Sequence, residues 1–331
     1  MSAPNDIILF HYPFSPYARR ITWYFTLRGI EYAQCVQSPV LPRPDLEALN
    51  VSYRRIPVLS IGRDIYCDTR LILRKLEERF PDGRLGATSG EQKAMERLLE
   101  RWTVDAGVFW RAASLLPSNL PILNDPKFTK DRESFTGRSW DKKDMDRARP
   151  ESVVHIRDAF ELLETTLLAD GRDWVLKTEK PTLADIEAIW PFDWLVELQA
   201  LPPNVISEKQ FPKVFAWINR FREALKSARA SAPKPVTLKG PEAVNFINNA
   251  EFAEQAGRVD ENDPLGLKPG AQVQVWPIDS GFSHKDQGQL VTLVPDEVTI
   301  SKKTKEGKEI HLHAPRWGFR IVEATDGSSR L

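Results

Sequence analysis

The chain has 331 residues, with 46 Lys and Arg balanced by 46 Asp and Glu, and is 41% hydrophobic and 28% charged. That length predicts two or three domains, and that composition excludes wholesale disorder and disfavours polyelectrolyte binding. No apolar run approaches the roughly 18 residues of a membrane helix. The start MSAPNDIILF also lacks the basic region and long apolar core of a secretion signal, so a cytoplasmic protein without membrane contact is expected. Cys35 and Cys67 are too few and too far apart for a disulfide framework or a cysteine metal site, and read as reduced, buried thiols.

Residues 7–80 follow the order strand, helix, strand, loop, strand, strand, helix, which is an α/β arrangement. Residues 7–10 form the first strand. Over 17–28, Ile21, Tyr24, Phe25 and Arg28 stand at helical spacing, and Gly29 sits where a helix end takes positive φ. Residues 30–36 predict a second strand. Residues 56–61 and 64–66 flank Gly62-Arg63 as a hairpin, and 69–80 resume a helical period that Pro81-Asp82-Gly83 stops.

From 91 to 232 the periodicity is helical. One long helix is expected over 91–116, with Leu98, Leu99, Trp102, Phe109 and Trp110, and another over 151–168. Between them, the polar and proline-punctuated stretch 117–150 predicts a lid or a poorly ordered linker. Thr182 and Asp185 read as a capping box opening a helix that Pro191 should kink or end, and 211–230 supply a final helix. Composition turns linker-like at Ser231-Ala232-Pro233-Lys234-Pro235, and a short helix is expected over 241–256. Alternation such as Val273/Val275, Val298/Ile300 and Ile310/Leu312 then predicts short strands in a small antiparallel barrel. With 12 Lys and Arg against 14 Asp and Glu over 233–331, a nucleic-acid face is disfavoured.

Candidate chemistry gathers at helix starts. Ser15-Pro16 suits an N-cap followed by a first helical position, since the serine oxygen accepts an orphan amide and proline has none to satisfy. The same helix start favours a thiolate over a thiol, and a serine hydroxyl could donate to that sulfur. Pro57 suits a strand edge, and Asp68-Thr69 suits a cap. His311 and His313 share one strand face without an evident third ligand, and read as solvated strand histidines rather than a zinc site. Lys302-Lys303-Thr304-Lys305 reads as a solvated hairpin. His11 and His155 read as structural.

Three segments carry a resemblance. Phe14-Ser15-Pro16-Tyr17-Ala18-Arg19-Arg20 follows the first strand, Arg54-Arg55-Ile56-Pro57-Val58-Leu59 enters the third, and Asp68-Thr69 opens the helix after the hairpin. Together they resemble the thioredoxin-like domain of cysteine- or serine-type glutathione transferases, and residues 92–230 are similar to that family's second domain. Fungal transferase-like proteins with a C-terminal extension are the nearest resemblance. It implies an α/β thioredoxin-like domain at 1–85 and an all-α glutathione-transferase C-terminal domain at 86–232. A linker, short helix and small mainly-β barrel-like module at 233–331 would follow.

The resemblance further implies that Ser15 is catalytic, with Tyr12 and Tyr17 as rival hydroxyl donors. Pro57 would be cis and turn the Ile56 backbone toward the extended tripeptide glutathione. Thr69 and the helix amides would hold its γ-glutamyl carboxylate, Asp68 would pair with its α-amine, and Arg55 would meet its glycyl carboxylate. Trp102, Asp105, Phe109 and Trp110 would face a hydrophobic electrophile, with Phe135, Arg138 and Trp140 as further candidates. Asp-Thr replaces the family's usual Glu-Ser, and Asn50-Val51-Ser52-Tyr53 replaces a glycine turn. The implied activity is glutathione conjugation by a metal-free homodimer. A glutathione-dependent isomerase or lyase of secondary metabolism, or a non-catalytic binding or regulatory protein, are the alternatives.

Overall fold

A computed structural model of the chain describes residues 2–255 and 257–324. Strand β1 (Ile7–His11) is buried throughout because its sheet is covered on both faces. Ile7 and Leu9 enter one core, and Ile8 and Phe10 enter the other. Helix α1 (Pro16–Arg28) ends at Gly29, whose φ of 61° lets its amide close on Phe25 and Thr26. Strand β2 (Ala33–Val36) begins three residues later than the pattern suggests. A single helical turn, α2 (Pro44–Ala48), precedes the hairpin of β3 (Val58–Ile61) and β4 (Asp64–Cys67), which leads into α3 (Thr69–Arg79). The order is β2-β1-β3-β4, with β1 parallel to β2 and antiparallel to β3. The Ile56–Pro57 peptide is cis.

The helical layer comprises α4 (Gly90–Val104), α5 (Val108–Ala113), α6 (Pro126–Thr136), α7 (Lys142–Leu162), α8 (Leu183–Glu197) and α9 (Pro212–Arg229). Three expectations need correction. The single helix over 91–116 is two, divided at Gly107, whose φ of 89° lies outside the helical region. The stretch 117–150 is structured, holding a 3₁₀ turn (Pro121–Asn124), α6 and the first turns of α7. Finally, α8 does not end at Pro191 but continues to Glu197. Proline 191 offers no amide to the Glu187 carbonyl one turn back, but the buried Thr103 hydroxyl from α4 donates to that carbonyl at 2.8 Å. The Trp190 indole N–H in turn donates to Thr103 at 3.1 Å. Tertiary packing has thus satisfied the group that proline orphans. The capping box at Thr182 is present, and Asp185 also receives the Val175 amide and the Trp217 indole N–H, each at 3.0 Å.

The C-terminal segment contributes β5 (Val236–Thr237), α10 (Gly240–Asn249), and five strands: β6 (Gln272–Pro277), β7 (Asp286–Val294), β8 (Glu297–Lys303), β9 (Glu309–Pro315) and β10 (Phe319–Glu323). The short helix expected to reach 256 stops at Asn249. Ala256, and residues 325–331 of the expected third unit, lie outside the described residues. The strand-rich module is present, and it continues the first sheet. Strand β9 pairs in parallel with β4 in the register Asp64↔His311, Ile65↔Leu312, Tyr66↔His313. One sheet of linear order β10-β6-β7-β8-β9-β4-β3-β1-β2-β5 results, and both edges of the first four strands are covered.

That seam corrects the reading of the module's polar residues. His311 and His313 are buried. His313 lies with Nε2 at 2.8 Å from Asp64 and Nδ1 at 2.8 Å from Glu297. Both ring nitrogens face carboxylates, as an imidazolium between two acceptors would, and Asp64 stands as the third group beside the two histidines that the sequence did not reveal. Lys75 of α3 bridges Glu254 and Glu297 at 2.7 and 2.9 Å. Lys302 is likewise buried, against Asp286, while Lys303 and Lys305 keep the expected exposure.

Candidate active site

Where β1, the entry to β3 and the start of α3 meet the helical layer, a cavity of about 440 Å³ opens. Its sheet-side wall brings together all eight sequence-identified peptide-site residues: Tyr12, Ser15, Tyr17, Arg55, Ile56, Pro57, Asp68 and Thr69. Phe109 and Trp110 line the opposite wall. Trp102 and Asp105 do not: the Trp102 ring packs 5.7 Å from Phe192, and Asp105 binds Arg70 at 3.0 Å and the Trp317 indole N–H at 2.8 Å. Trp102 lies on the last turn of α4 and Asp105 is its C-cap, and the break at Gly107 redirects only α5 into the cavity.

Ser15 is the N-cap of α1, and its Oγ accepts the Ala18 amide at 3.2 Å. The side chain is 1% exposed to solvent while bordering the cavity. Its own hydroxyl proton has no protein acceptor among the described residues. Burial pushes the Tyr17 phenol up, so it stays protonated, with its ring against Phe109 and Trp190 at 4.7 Å. Both cysteines are buried, which pushes the Cys35 thiol up to about 12 and raises Cys67 well above its usual range.

Asp68 caps α3 with φ 70° and ψ 133°, outside the left-handed helical well and strained for a residue with a Cβ. Oδ1 accepts the Arg70 amide at 3.1 Å and Arg70 Nε at 3.2 Å, and Oδ2 lies 3.7 Å from Arg55. Burial would raise this carboxyl, but the Arg70 and Arg55 guanidiniums hold it below its ordinary value. The Thr69 hydroxyl oxygen accepts from the fully buried Arg20 at 2.5 Å, which leaves its proton to point elsewhere. Arg20 is fixed from behind by Glu187. The starts of α1 and α3 therefore converge on one cavity and favour anionic groups in it.

Ile56 offers both backbone groups, since neither its N–H nor its C=O is engaged among the described residues. Among the cavity arginines, Arg54 and Arg132 pair with Asp131, and Arg55 pairs with Asp68 and Asp279. Arg43 meets only the carbonyls of Ser38, Pro39 and Arg54, and burial lowers it to about 10. Sequence reading missed Arg43, whose only signal is its place between Pro42 and Pro44. The connection 117–150 forms much of the far wall through Leu120, Ile122, Phe128, Phe135 and Trp140. Arg138 stacks on Trp110 at 5.2 Å.

Residues 9–85 match the model of the glutathione S-transferase N-terminal domain, and residues 111–230 match a domain of unknown function (DUF7962). The fold is similar to a GST-like protein from Pseudomonas syringae at 23% identity, covering 97% of this chain and 100% of that one with a TM-score of 0.70. That coverage takes in the strand-rich module. A glutathione S-transferase from Sinorhizobium meliloti 1021 is similar at 22% identity, over 68% of this chain and 92% of that one, with a TM-score of 0.51. No protein with a curated description matches the chain significantly. The fold is therefore GST-like, with a thioredoxin-like first domain. No helix among the described residues is long and apolar enough to cross a membrane.

Proposed function

We propose that the chain is a glutathione transferase that activates the glutathione thiol for attack on a hydrophobic electrophile. One observation carries this reading: a single cavity joins an unclaimed serine hydroxyl at a helix start, free backbone groups at Ile56 and an aromatic wall. The γ-glutamyl carboxylate sits at the start of α3, on the Thr69 amide and hydroxyl. The cysteinyl backbone pairs with Ile56 as an added strand. The glycyl carboxylate meets Arg43, the cavity arginine without a carboxylate partner, in place of Arg55.

The sulfur then lies at the start of α1. The thiol loses its proton to solvent, and the Ser15 hydroxyl donates to the resulting thiolate. Phe109 and Trp110 hold the electrophile across the cavity. With a chlorinated nitroarene, the thiolate adds to the ring carbon, a C–S bond forms, the C–Cl bond breaks and chloride leaves. Turnover of that substrate with glutathione tests the proposal: measurable conjugation supports it. Retention on immobilised glutathione without turnover of several electrophile classes would instead favour a binding protein.

A further inference from the structure

Resting on that reading, we infer that the strand-rich module completes the peptide site, and that Asp279 is the anionic partner of the ligand's ammonium group. The loop between β6 and β7 crosses from the module to the cavity, where Asp279 and Ser280 form part of the lining. Three contacts fix it. Arg55 Nε and Nη2 donate to the Ser280 carbonyl at 3.2 and 2.9 Å, and the Gly281 amide donates to the Phe135 carbonyl of α6 at 2.9 Å. Gly281 has φ 67°, and a Cβ there would come 3.0 Å from the Phe135 ring, so the close approach requires glycine.

Two carboxylates flank Arg55 in the cavity. Asp68 is the less available: one oxygen takes two Arg70 donors, the other lies 3.7 Å from Arg55, and its side chain is only 7% exposed. Asp279 binds Arg55 through Oδ1 alone, its side chain is 48% exposed, and Oδ2 has no partner among the described residues. An ammonium entering beside the γ-glutamyl carboxylate thus finds its unsatisfied acceptor on the module. The ligand selected is a peptide with a free α-amine, and the extension acts as a specificity element of the site.

Calorimetric titration of the full chain with glutathione and with glutaryl-cysteinyl-glycine, the same peptide without the α-amine, tests this. The native protein is expected to bind glutathione about tenfold more tightly, and Asp279→Asn to bind the two alike; a hydrogen bond to a charged group, weakened by exposure, supports that ratio. Taking the ratio within each variant cancels any loosening of the loop. Equal binding of both peptides by the native protein overturns the assignment but leaves the transferase reading intact. A preference that survives in Asp279→Asn also overturns it. Binding of neither peptide by the native protein removes the transferase reading and this inference together.

Discussion

Replacing Ser15 by alanine is expected to lower kcat/KM for glutathione conjugation by about a hundredfold to a thousandfold, the usual loss when one preorganised donor to a developing or resident anion is removed. The substitution also removes the cap on the Ala18 amide, at roughly 1 kcal/mol of stability, too little to unfold a domain of this size. Steady-state kinetics at saturating glutathione separates the two effects, because loss of the cap alone leaves the pH dependence of turnover unchanged. Loss of the donor shifts that dependence to higher pH, as the bound thiol becomes harder to ionise. A larger loss in Tyr17→Phe than in Ser15→Ala would transfer the role to the phenol.

His313→Ala is expected to destabilise the protein by about 3 kcal/mol, the low end for a broken buried pair, because it takes the shared cation from Asp64 and Glu297 while Lys75 stays on Glu297. Asp64 also receives the Ala253 and Glu254 amides, so the damage reaches the segment leading into the module as well as the β4/β9 seam. Denaturant unfolding gives the loss. Burial alone would lower the His313 imidazolium, but the hydrogen bonds it donates to Asp64 and Glu297 hold it above its ordinary 6.5. Its contribution is therefore complete below about pH 6.5 and is lost as pH rises toward the raised folded value. Burial would raise Glu297, yet the hydrogen bond and charge of His313 hold it down at about 2. Its contribution is present above its ordinary 4.5 and is lost as pH falls from there toward 2. The seam should be strongest between those two ordinary values, and His313→Ala should flatten the profile on both sides.

Local features were legible wherever the cause was local. Ser15-Pro16, Gly29, Asp68 and the Thr182–Asp185 box each announce a helix end through nearby backbone groups. The eight residues proposed for the peptide site were named through the resemblance of three segments to glutathione transferases, and the structure brings all eight to one cavity. What stayed hidden depends on distant partners. Helix α8 passes Pro191 with Thr103, from another helix, serving the carbonyl that proline orphans. The histidines looked solvated because nothing near residues 311–313 indicates pairing with residues 64–66. Trp102 and Asp105 shared an apolar period with Phe109 and Trp110, and only the turn at Gly107 decides which pair reaches the cavity. Asp279 carries no local signal, and its meaning comes from Arg55 across the sheet.

The most direct measurement is the pH titration of thiolate ultraviolet absorbance for glutathione held at saturation on the native protein. A midpoint at least about one pH unit below the roughly 8.5 of a free thiol, moving back up in Ser15→Ala, is the expected result. A bound thiol that titrates like the free peptide, or one whose lowered midpoint is unchanged in Ser15→Ala, would contradict the assignment of thiolate stabilisation to Ser15 and the start of α1.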